Sequence, residues 1–385
     1  MRRSTPLHPR WRRKLNGPYT DRRMHSLIPR ILEITALIAA VGLPQLWAGA
    51  VAAEPHGRRE VESSSPIIEY VIPRAGAAPY SVAVNSFGVA WYVDQANSRI
   101  GRVDPETGQI KDFEMPSPGA APHGIAIGRR GRIWYTATKL GKIGVLDIES
   151  GKIKEYPLPP GAKDPDTLLV HKNRIWFTAQ RANACGYLDP HTGGVVVLPV
   201  TTPNARPHAL AVAPDGGIWV TLFGTHRLAR IDSKQATLLE IELPHKDARP
   251  RELAIDAAGN IWYTDPARSK LGRYDPKAKR FKEYDTVNRN AGPTAIAIGH
   301  DGRIWYNESY TNRMVGFDPK TKRSVTLEIP TEGAIVQHMV VDRRDGTLWL
   351  ALSNTQRIGR IDVRPAEKTR TDGPKRAEDA PVRGE

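Results

Sequence analysis

Seven tryptophans stand on one ruler. Trp91, Trp134, Trp176, Trp219, Trp262, Trp305 and Trp349 follow one another at steps of 43, 42, 43, 43, 43 and 44 residues. Each period holds four short apolar stretches bounded by Gly, Pro, Asp or Asn, the residues that supply turn conformations. In the second unit these are 124–127, 132–137, 142–147 and 152–156. A repeat of about 40–45 residues with four short strands is the signature of a β-propeller blade. The expected fold is therefore all-β, a seven-bladed β-propeller with four-stranded blades. The recurring Trp is read as the filling between neighbouring sheets, since large aromatics dominate cores.

The third strand of the unit is the most regular, as in Arg99-Ile100-Gly101-Arg102 and Lys270-Leu271-Gly272-Arg273. It runs into Asp104, Asp147, Asp189, Asp232, Asp275, Asp318 and Asp362, each expected to start the next turn through an Asx-type hydrogen bond. Residues 66–73 look like an outer strand with no inner strands before it, and the seventh repeat stops after its third strand. Residues 67–72 are therefore expected to pair with 357–362 and close the ring, which removes the exposed edges of an open array.

Outside the repeats, residues 1–53 carry nine Lys/Arg and two acids, an apolar run from Ile34 to Leu43 and the small-residue pattern Ala50-Val51-Ala52. These are the parts of a secretory leader, and the apolar run is shorter than the roughly 20 residues a bilayer span needs. Met24 offers a second start, and Arg22-Arg23 hints at twin-arginine export without the rest of that motif. A periplasmic or secreted protein that does not span the membrane is expected. Residues 54–65 read as a polar linker, 66–363 as the propeller and 364–385 as a disordered tail. The leader supplies nearly half of the formal charge of +15. The remaining basic excess is spread over the third strands and has no recognition motif, so it excludes a nucleic-acid function and leaves room only for weak attraction to anionic polymers or lipid. The single cysteine, Cys185, excludes an intramolecular disulfide and reads as a small buried hydrophobe.

Function in a propeller is expected where loops meet the central channel. One register follows the Pro before each inner strand: Tyr80, His123, Asp166, His208, Arg251, Thr294 and, shifted by one, His338. A second lies three residues after each Trp: Asp94, Ala137, Ala179, Leu222, Asp265, Glu308 and Leu352. Scaffold positions should agree between repeats, and these do not. Blades 6, 7 and 1 become neighbours on closure and bring Glu308, His338, Tyr80 and Asp94. Two carboxylates there suit Mg²⁺, which prefers oxygen ligands, and an imidazole suits a general base. A solvated funnel with internal salt bridges explains the same residues without chemistry.

The segments Pro122-His123-Gly124-Ile125, Arg132-Ile133-Trp134-Tyr135-Thr136, 152–159 (KIKEYPLP) and 202–209 (TPNARPHA) resemble the streptogramin B lyase, or virginiamycin B lyase, family. The resemblance covers all seven repeats. It implies a seven-bladed propeller that opens a cyclic depsipeptide antibiotic by Mg²⁺-dependent elimination at an ester, without hydrolysis. A base removes the proton α to a carbonyl while the metal stabilises the developing charge. His338 falls where the family has its general base and Tyr80 on a substrate-lining tyrosine. Val336, Ser353 and Thr294 stand where the family has two acids and a histidine.

Two functions follow. In the first, a carbon–oxygen lyase, His338 is the base, Glu308 and Asp94 hold Mg²⁺, and Tyr80, His123, His208 and Arg251 contact the substrate. In the second, a monomeric exported propeller binds a small ligand, a cell-wall polymer or a protein partner in the funnel. A lactone hydrolase on six blades fits less well, because seven repeats are counted.

Overall fold

The computed structural model describes residues 58–61 and 66–363; of 58–61 only the backbone is described. The expected leader (1–53) and tail (364–385) lie outside the described residues. Seven antiparallel sheets follow one another, six of four strands and one of five. The second blade shows the pattern: Pro122–Ile127, Ile133–Ala137, Lys142–Leu146 and Ile153–Pro157. The seven-bladed β-propeller expected from the Trp period is the fold of the chain.

The ring closes as the orphan strand suggested. Ile67–Val71 pairs antiparallel with Arg357–Ile361, from Ile67 opposite Ile361 to Val71 opposite Arg357. The structure adds something the linker reading missed. Arg58–Val61 pairs outside Ile67–Val71 and makes the closing sheet five-stranded. Tyr70 reinforces the seam. It is fully buried, stacks on Trp349 at 5.5 Å and donates its hydroxyl proton to the Pro105 carbonyl of blade 1.

Both faces of each sheet are covered by a neighbour, so the second strands are buried along their whole length and mostly apolar. In Ile133–Ala137 all five residues are buried, and so are all five in Ile261–Asp265 and Leu348–Leu352. Every repeat Trp is at most 4% exposed. The Ile-Gly pair of the third strand has a steric cause. Gly144 lies opposite Tyr135, and a Cβ there would meet the Tyr135 ring at 2.0 Å. Gly101 and Gly272 stand in the same relation to Tyr92 and Tyr263. Where the second-strand residue is the smaller Val220, its partner is Ala229. In these four blades a large second-strand ring faces Gly and the smaller Val faces Ala, as close packing favours; blade 6 departs from this, with Tyr306 opposite Val315.

The turn aspartates act as expected. Asp104 accepts the N–H of Glu106 at 3.0 Å, Asp232 that of Lys234 at 2.8 Å and Asp318 that of Lys320 at 2.8 Å. Cys185 is fully buried, and burial pushes its thiol up to about 12, which leaves no thiolate for nucleophilic work. Among the described residues no helix is long and apolar enough to cross a membrane.

Candidate functional site

Five of the seven inner strands begin with a break in pairing register. It falls between Pro79 and Ser81, Pro122 and Ile125, Pro165 and Leu168, Pro207 and Leu210, and Val336 and His338. A bulge of this kind re-aims a side chain that the regular ladder would place on a blade face. The proline has no N–H to give the ladder, and the residue after it is the one released. In blades 5 and 6 the inner strands are shorter, Leu253–Ile255 and Ile296–Ile298, and in blade 5 Arg251 and Glu252 still exchange backbone hydrogen bonds with Thr264 at 2.9 and 3.0 Å.

A second device holds these residues and was missed in the sequence. The hydroxyl two positions after the Trp ties one blade to the next. Thr136 accepts the Gly124 N–H (2.8 Å) and donates to the Asp166 carbonyl (2.8 Å). Thr178 donates to the His208 carbonyl (2.8 Å), Thr221 to that of Arg251 (2.6 Å) and Thr264 to that of Thr294 (3.0 Å). The signal was the recurrence Trp-x-Thr. Val93, Asn307 and Ala351 replace the Thr in blades 1, 6 and 7, so the carbonyls of His123 and Tyr80 have no such tie.

The released side chains meet. A cavity of about 790 Å³ is lined by Tyr80, His123, Asp166, His208 and Arg251 from blades 1–5, with Gln180 and Phe223 beside them. Asp166 is its electrostatic centre. One carboxylate oxygen lies 2.8 Å from His123 Nδ1, and the other takes His208 Nδ1 and the Gln180 amide, each at 2.5 Å. His208 Nε2 is 3.1 Å from Glu252 Oε1. Burial opposes the charged imidazolium of His208, but the two carboxylates on its nitrogens outweigh burial and push it up to about 9. Burial likewise opposes ionised Asp166 and Glu252. His123 and His208 hold Asp166 well below the usual carboxylate range, and His208 holds Glu252 below it. Buried charges survive here because each is paired.

On the other side of His123 the Tyr80 ring packs at 3.6 Å between centroids. Burial pushes the Tyr80 hydroxyl up to about 12, so it stays a phenol at neutral pH. Arg251 donates to Gln337 Oε1 (2.6 Å) and to the Tyr80 hydroxyl (3.4 Å). His338 does not line the cavity, though it lies near enough to feel Glu252, His208 and His123. Burial, with the neighbouring His208, lowers it and favours the neutral ring. Its Nδ1 accepts the Val82 N–H at 3.4 Å, which places the ring proton on Nε2. The lone pair a general base would use is thereby engaged.

Asp94 and Glu308 have other work. Asp94 accepts the Ala78 N–H (3.0 Å) and the Asn97 amide (2.8 Å). Glu308 accepts the Asn288 N–H (3.1 Å), the Asn288 side-chain amide and the Thr311 hydroxyl (3.0 Å). Asp265 does the same for the Arg249 N–H at 3.1 Å. These carboxylates brace the loops of their own blades, because a buried loop N–H needs an acceptor. They do not form the pair of metal ligands expected from the sequence. The cavity's own acids, Asp166 and Glu252, are taken by imidazoles. Among the described residues no group of three or more His, Cys, Asp or Glu is arranged to hold a metal ion. A Mg²⁺ ion, which wants several free oxygens around it, does not fit this donor set.

The virginiamycin B lyase family model matches residues 35–222 and 193–371. The chain belongs to this family. No curated protein sequence matches it. Among solved structures, virginiamycin B lyase from Staphylococcus aureus superposes with a TM-score of 0.71 at 22% identity, over 77% of this chain and 99% of that one. A streptogramin B lyase gives 0.70 at 26% identity, over 80% and 99%. The propeller domain of Cps50 (Swd1) from Myceliophteria thermophila gives 0.62 at 14% identity, over 77% and 100%. Likeness at such low identity carries the fold alone. In this member of the virginiamycin B lyase family the cavity is centred on Asp166, and Asp94 and Glu308 are bound to loops.

Proposed function

We propose that this member of the virginiamycin B lyase family is an exported binding propeller that holds a small ligand in the cavity between Tyr80, His123, His208 and Arg251. One observation carries the reading: both acids of the site face imidazoles, Asp166 those of His123 and His208 and Glu252 that of His208, while the carboxylates expected to hold Mg²⁺ brace loops. The site thus has the shape and polarity for binding, and its two acids face imidazoles rather than the oxygen-rich sphere that Mg²⁺ prefers. Export rests on the leader-like segment 1–53.

A second reading has its own support. His123 Nδ1 faces Asp166, so the carboxylate orients the ring and leaves Nε2 for proton transfer, with the Tyr80 phenol and Arg251 at hand to meet a developing negative oxygen. That arrangement would serve elimination at an ester without metal.

Incubation with a streptogramin B followed by mass spectrometry separates the two. The binding reading expects intact antibiotic, with or without Mg²⁺. A ring-opened product of unchanged mass, absent with His123→Ala, would replace it by the lyase reading; a product heavier by one water would point to hydrolysis.

A further inference from the structure

The charges around the cavity do not cancel. Lys139, Lys163, Arg181, Arg206 and Arg251 line it against two acids, Asp164 and Asp166. Both acids are already satisfied. Asp164 accepts the backbone N–H groups of Arg181 and of Ala182, the latter at 3.0 Å, and Asp166 sits between two imidazoles. None of the five cations forms an ion pair among the described residues.

Arg251 is the most telling of them. It is half-buried, and its two hydrogen-bond partners, Gln337 and Tyr80, are neutral. The adjacent Glu252 carboxylate is turned to His208 instead. A guanidinium presents five donors in a planar fork, so one held by two neutral partners keeps donors for a bidentate anion. The other four cations stand on exposed loops around it and supply field rather than fixed geometry.

We infer that the cavity takes a small molecule with at least two anionic groups, carboxylate or phosphate, one seated on Arg251 and the other met by the rim cations Lys139, Lys163, Arg181 and Arg206. The inference rests on the binding reading above and names its ligand class. It also separates this chain from a binder of neutral peptide lactones.

Calorimetry on the full chain with citrate and with pyrophosphate tests it, with trimethyl citrate as the uncharged control. At least one anion should bind, more weakly as salt rises, and the stronger of the two tells carboxylate from phosphate. Arg251→Met should weaken that binding about tenfold or more, and Arg251→Lys by an intermediate factor, because charge without the fork is retained. Arg206→Ser, on an exposed loop, should weaken it about two- to fourfold and flatten the salt dependence. Binding of neither anion, equal binding of trimethyl citrate, or full affinity in folded Arg251→Met would overturn the inference. In that event, binding of neutral streptogramin B by the same chain would leave the binding reading standing and only the anionic class refuted.

Discussion

Asp166 and His208, 42 residues apart in sequence, are joined by a hydrogen bond of 2.5 Å between Oδ2 and Nδ1. The bond crosses from blade 3 to blade 4 and fixes a buried imidazolium beside the cavity. Burial alone would have discharged the ring; Asp166 and Glu252 together keep it charged.

That pairing makes stability depend on pH. The folded value for His208 is raised from 6.5 to about 9. Its contribution is complete below the unfolded value and is lost as pH rises through about 9. The size is on the order of 3 kcal/mol, the free energy of such a difference in proton affinity. Urea unfolding from pH 6 to 10 should show the decline, and Asp166→Asn should abolish most of it. An equal slope in wild type and Asp166→Asn would refute the assignment.

Gly144→Ala should destabilise blade 2 by about 1–3 kcal/mol, since the new methyl meets the Tyr135 ring. Tyr135→Val combined with Gly144→Ala reproduces the Val220–Ala229 pair of blade 4. The double variant should melt above Gly144→Ala. Thermal unfolding of the three proteins checks this, and additive losses would contradict the packing account.

How much of this was readable in advance depends on the range of the interaction. Strand positions, turn aspartates and ring closure follow from contacts within a repeat or from the missing strand, and Trp134, Asp104 and Ile67 announce them in sequence. The register Tyr80, His123, His208 was legible as variable positions on a constant scaffold. Its partners were not. Whether Asp166 reaches His123, His208 or both depends on how adjacent blades are rotated, and no local pattern reports that. The loop bonds of Asp94 and Glu308 were not legible, because a carboxylate that caps loop N–H groups and one that binds a cation look alike in sequence. Glu252 and Gln180 fell outside the registers considered.

Thr221→Val removes the tie from blade 4 to the Arg251 carbonyl while keeping the shape of the side chain. The carbonyl and the Ala209 N–H, also bound to that hydroxyl at 2.9 Å, lose their partner. A loss of about 1–3 kcal/mol is expected, from leaving buried polar groups unsatisfied. Chemical denaturation measures it; no loss would mean that the tie is ornamental.

Tyr70→Ala strips the closing seam of its stacking on Trp349 and its bond to blade 1. The expected cost is about 3–5 kcal/mol, as for other buried aromatics truncated to Ala. Hydrogen exchange should rise first in Ile67–Val71 and Arg357–Ile361. Uniform loss of protection across all blades would instead show that the ring opens only as a whole.

The account rests on the cavity's carboxylates being occupied by imidazoles. Nitrogen-15 correlation spectra of the histidine side chains, recorded near neutral pH with and without millimolar Mg²⁺, read that directly. The expected result is a doubly protonated His208 and a His338 protonated on Nε2, neither altered by the metal. A neutral His208, or histidine signals that shift saturably with Mg²⁺ and cease to do so in Asp166→Asn, would contradict it.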